Sequence, residues 1–102
     1  GRLDDALVDL RRAVEIRPRY YRAHYEMALV LDEAERLDES IAAFEAADPG
    51  YADDARFHFE KGRALFRHGL LPAARIQLRR AMTLAPGSES ASKARELLEV
   101  ID

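Results

Sequence analysis

A chain of 102 residues, 48% hydrophobic and 34% charged, has the size and composition of one small globular domain, far from the signature of disorder. It has no cysteine, which excludes a disulfide framework, a thiolate metal site and a cysteine nucleophile. A net charge of −3 argues against a general nucleic-acid binder, no apolar run reaches the length of a membrane span, and no basic-then-apolar start reads as a signal peptide.

The elements follow in chain order. Leu3, Ala6, Leu7, Leu10, Ala13 and Val14 keep the three-and-four spacing of one helix face, which predicts a helix over 3–16, stopped by Pro18. Met27, Ala28 and Leu31 mark a second helix over 20–34. Ile41, Phe44 and Ala47 mark a third over 37–47, broken by Asp48-Pro49-Gly50. Asp53 or Asp54 is placed to cap a fourth over 54–68. That helix ends at Gly69, with His68 in its last turn, where a cation suits the helix dipole. Pro72 opens a fifth helix over 71–84, at a position where its missing N–H costs nothing, and Pro86 follows its end. Ser88 is placed to cap a sixth over 88–101. Its apolar stripe is Ala91, Ala94, Leu97, Leu98 and Ile101, leaving Glu89, Ser92, Lys93, Glu96 and Glu99 to look outward. No segment alternates as a strand does. The chain opens on Gly1 without an initiator Met and is expected to be a piece of a longer protein.

A repeat runs through these helices. A step of 34 residues relates Gly1, Glu35 and Gly69, then Leu3, Leu37 and Leu71, then Ala6, Ser40 and Ala74. The same step relates Leu10, Phe44 and Leu78, then Ala13, Ala47 and Ala81, and it carries His24 to His58. Small, large and breaker residues each return at their own phase. Antiparallel helices cross closely only over small side chains, so Ala28 is expected to face Ser40, and Gly62 to face Ala74.

The period and pattern resemble the tetratricopeptide repeat, W-x2-L-G-x2-Y then A-x3-F then P. His24, Met27, Ala28, Leu31, Ser40 and Phe44 carry the match in one unit. His58, Lys61, Gly62, Leu65, Ala74, Leu78 and Pro86 carry it in the next. Histidine stands twice for tryptophan, Lys61 stands where leucine is usual, and the middle unit breaks early at Asp48-Pro49-Gly50. The resemblance implies an all-α fold, a right-handed α-solenoid of antiparallel helix hairpins. Within a single domain over 1–102, residues 1–20 would be the second helix of a leading half-repeat. Residues 21–54 and 55–88 would be whole repeats, and 89–102 a capping helix or the start of another repeat.

The same resemblance implies a non-catalytic protein–protein interaction scaffold, part of a larger protein, that holds a partner segment in a concave groove. The implied groove residues are Arg22, Tyr25, Leu29 and Asp32, with Glu33 beside them, from one repeat. From the next they are Arg56, Phe59, Arg63, Phe66 and Arg67. Spacing supports the second set independently. Its five residues fall at i, i+3, i+7, i+10 and i+11, one stripe of arginines and phenylalanines, which is an odd composition for a core.

Charge adds a direction. Residues 35–54 hold seven acids against Arg36, and residues 55–88 hold seven bases against Glu60. That split equally suits two solvated faces or an attraction between adjacent repeats; where the arginine and phenylalanine stripe lines a groove, the expected partner is a protein or peptide with acidic residues beside one bulky apolar anchor. The lysine and asparagine pattern of chaperone-tail receptors in this family is missing, since Glu26 and Leu29 stand in its place. The alternatives are a self-association module forming a homo-oligomer and, less favoured, single-strand RNA binding. No cofactor, metal or catalytic residue is expected. Equivalent histidines on stacked repeats lie about 10 Å apart, too far to share a zinc ion. The acidic pairs lack a calcium-loop pattern.

Overall fold

The computed structural model describes residues 1–102 as six helices without a strand. They are α1 (Arg2–Ile16), α2 (Tyr21–Glu33), α3 (Leu37–Ala47), α4 (Ala55–Arg67), α5 (Leu71–Leu84) and α6 (Glu89–Ile101). A 3-10 turn, Asp48–Gly50, follows α3. The chain forms two compact units, Gly1–Tyr51 and Ala52–Asp102. No helix is long and apolar enough to cross a membrane.

In the first unit, α2 and α3 form a hairpin whose crossing is made by small residues. Ala28 and Ser40 are both fully buried, and Ser40 Oγ donates to the Ala28 carbonyl at 2.9 Å. A hydroxyl at this crossing satisfies itself on the facing backbone, which a buried polar group requires. Leu31 and Phe44 fill the space beside it, and Leu7 brings in α1. The early break after α3 is tightly packed. A Cβ on Gly50 would collide with Tyr21 at the start of α2, so only glycine allows the turn to lie there.

In the second unit, α4 and α5 form the equivalent hairpin. Asp54 Oδ1 caps α4 by accepting from Phe57 N at 3.0 Å, and Pro72 sits in the first turn of α5. Ser88 Oγ caps α6 by accepting from Ala91 N at 3.0 Å. The residues nearest Gly62 are Leu78 and Gln77, with Ala74 also fully buried in the same interface. A Cβ at Gly62 would lie 2.9 Å from Leu78 Cγ. His58 is held at both ring nitrogens, Nδ1 against Gln77 Oε1 at 2.7 Å and Nε2 against the Ala52 carbonyl at 2.8 Å. It fills the tryptophan position as a buried, hydrogen-bonded spacer.

Helix α6 docks on the hairpin. Ala94 and Leu98 join Phe59, Leu78 and Ala81 in one core, with Met82, Leu97 and Ile101 packed against it. Burying an apolar side chain of this size contributes about 1.5–3 kcal/mol, so this helix is an integral part of the unit.

Candidate functional site

The packing of α6 beside α4 leaves a trough between them. One end is a cleft of about 470 Å³ lined by Arg56, Phe59, Glu60 and Arg63 of α4 and Glu89, Ser90 and Lys93 of α6. The other end, of about 430 Å³, shares Phe59, Arg63 and Lys93 and adds Phe66, Arg67, Glu96, Leu97 and Val100.

The two ends differ in character. At the first, charges are neutralised within the protein. Arg56 Nε lies 3.2 Å from Glu60 Oε1, and Lys93 Nζ lies 2.8 Å from Glu89 Oε1. The Lys93 hydrogen bond and charge, with a smaller contribution from Arg56, hold the Glu89 carboxyl below its ordinary range. At the second end Phe66 and Leu97 are half-buried, and Val100 is 70% exposed. Between the ends sits Arg63, exposed, with its guanidinium 5.4 Å from the Phe59 ring centroid. That distance is a cation–π contact, which holds the arginine over the ring.

The structure brings Arg56, Phe59, Arg63, Phe66 and Arg67 together on one face of α4. Phe59 departs from the expectation of an accessible anchor. It is only 8% exposed, because Ala94 and Leu98 of α6 cover it; it serves as the floor of the trough and a core residue at once.

The other four predicted residues lie on α2, in the first unit. Arg22 is exposed and bonded to Glu26 Oε1 at 3.0 Å. Tyr25 is half-buried, edge-on to Tyr51 with centroids 4.6 Å apart and tilted against Phe44. Leu29 is half-buried as well. Asp32 is 5% exposed, buried in its hairpin rather than offered to a ligand. Beside α2 a cleft of about 300 Å³ opens between α1 and α3, where His24, Met27 and Leu31 meet Ala42, Ala43 and Ala46. His24 Nε2 is bound to the Pro18 carbonyl there at 2.9 Å.

Sequence reasoning missed the α6 half of the trough. By spacing alone Glu89, Lys93 and Glu96 belong to an outward-looking face. The signal was available in the repeat itself: one step of 34 carries Arg56, Phe59, Arg63 and Phe66 to Ser90, Lys93, Leu97 and Val100.

Comparison with known proteins bears on the family and the fold. Two tetratricopeptide-repeat models match, one over residues 1–58 and one over residues 50–89. The search of curated proteins gives no match. Among solved structures, the type III secretion chaperone SycD of Yersinia enterocolitica, in complex with a peptide of the translocator YopD, superposes with a TM-score of 0.87. It is 18% identical, over 99% of this chain and 80% of that one. A MamA double mutant (RS-1) superposes at 0.81, with 20% identity over 100% of this chain and 69% of that one. MamA from residue 41 to its end, from Desulfovibrio magneticus RS-1, superposes at 0.81, with 18% identity over 99% and 65%. At such identities the likeness is one of fold, but the family models span the repeats themselves, and the chain belongs to the tetratricopeptide-repeat family.

Proposed function

We propose that the chain is a non-catalytic protein-interaction module that holds a partner's peptide segment in the trough between α4 and α6. The observation that carries this reading is the apolar end of the trough. Val100, 70% exposed, lines it beside the half-buried Phe66 and Leu97. Exposed apolar surface rimmed by charge is the usual mark of a binding site. SycD, which shares the fold, is seen with a bound peptide, in keeping with this reading. The arginines of α4 favour a segment with acidic residues beside one bulky apolar side chain, burial giving affinity and charge giving register and association rate.

Selection from a displayed library of random peptides tests this. Enriched sequences should carry Asp or Glu near Leu, Ile or Phe, and Val100→Glu should abolish their capture without changing the melting temperature. Capture that is indifferent to Val100→Glu would contradict the site.

A further inference from the structure

We infer that the trough reads a single side-chain carboxylate of its partner, at Arg63, with the partner's apolar side chain seated beside it against Phe66, Leu97 and Val100. The inference rests on the proposed trough and goes further by naming which cation reads the partner, and how many acids it accepts.

The argument is one of which charges are already committed. Arg56 is paired with Glu60 and Lys93 with Glu89. A ligand acid meeting either cation must displace a carboxylate already there. Arg63 has the Phe59 ring under it and no carboxylate partner. Its guanidinium therefore keeps its donors for a ligand, and a guanidinium fork matches a carboxylate in two-point fashion. The cation–π contact also restricts the side chain before binding, which lowers the ordering cost of recognition. Glu60, Glu89 and Glu96 flank it. With Arg56 and Lys93 already paired to Glu60 and Glu89, a second acid at the first end meets no uncommitted cation, so the code is one acid, not a cluster.

Position decides what kind of carboxylate it is. Arg63 lines both clefts, so it lies mid-trough with room for chain on each side. A chain terminus bound there would leave one cleft empty. An internal Asp or Glu lets the segment run through, its apolar neighbour entering the cleft of about 430 Å³.

The test uses short, fluorescein-labelled, C-terminally amidated peptides. In a Ser/Gln background they carry one Glu and one Leu at varied spacing, and affinity is read by fluorescence anisotropy. The best member should bind the wild-type chain about tenfold tighter than its Glu→Gln twin. That ratio should collapse towards one on Arg63→Gln and survive on Arg56→Gln. Arg63→Met, which keeps the aliphatic stem over Phe59, should give the same collapse and guards against a folding defect in the first variant. Twins that bind equally, a ratio retained without Arg63, or no binding by any member would overturn the inference. So would tighter binding of a Glu-free peptide ending in Leu when its terminus is left as the free acid. Failure of the trough itself looks different: peptide affinity would then be unmoved by Val100→Glu. Equal twins whose binding still falls on Val100→Glu leave the trough standing and remove only the role of Arg63.

Discussion

Glu35 and Gly69, thirty-four residues apart, occupy the same place in the two hairpin turns, and both have a positive φ, +59° and +80°. The hydrogen bonds around them are the same. Arg36 N donates to the Leu31 carbonyl as Leu70 N does to Leu65, and Glu35 N donates to Asp32 as Gly69 N does to Phe66. Both helices end in the same left-handed closing motif, which glycine fits without strain and glutamate does not.

Glu35→Gly should therefore stabilise the chain by about 1 kcal/mol, the left-handed penalty partly offset by the looser unfolded chain. Gly69→Ala should cost about as much. Urea unfolding of both variants checks the pair, and a destabilised Glu35→Gly would mean that the turn is held by the glutamate side chain instead.

Gly62 is needed for space rather than for φ. Alanine would gain about 1 kcal/mol of helix propensity. Its Cβ would lie 2.9 Å from Leu78, which is fully buried, so the side chain or the helix must shift. Overpacking of this kind costs about 1–3 kcal/mol, so Gly62→Ala should be net destabilising. A more stable variant would show that the two helices can separate slightly at no cost.

Phe59 and Phe66 should behave differently although they share one stripe. Phe59→Ala should cost about 3–5 kcal/mol of stability, as removal of a buried ring does. Phe66→Ala should cost about 1 kcal/mol while weakening peptide capture. Equal destabilisation by both would place Phe66 in the core.

How much was legible follows from such residues. The six helices were readable to within one residue at each end, because Pro18, Gly69, Pro72 and Ser88 punctuate them and Ala28, Ser40 and Ala74 recur at the crossings. The α4 side of the trough was readable as a stripe. Its depth was not: spacing puts Phe59 and Arg63 on one face, but only the docking of α6 decides that the ring is covered and the guanidinium is left out. The α6 side was hidden because its charged residues also suit a solvated cap, and charge alone does not distinguish a helix's outer face from the wall of a groove.

The Glu89–Lys93 pair gives a pH dependence of definite sign. The Glu89 carboxyl is held below its ordinary value of 4.5 in the folded chain, mainly by Lys93. The stabilisation is thus fully present above about that pH and is lost as pH falls through the lower folded value. Because the group is fully exposed, the effect is small and salt-sensitive. Melting temperatures at low salt should show wild type ahead of Glu89→Gln at neutral pH, with the difference closing in acid. A gap that widens as pH falls would have the wrong sign.

The most direct test of the trough is to map amide chemical shifts on the isotope-labelled chain during titration with a selected Glu- and Leu-bearing peptide. The largest changes should fall on Arg63, Phe66, Lys93, Leu97 and Val100, on the facing sides of α4 and α6. Changes centred on the outer face of α5 around the 64%-exposed Ile76, with α4 and α6 unmoved, would contradict the account.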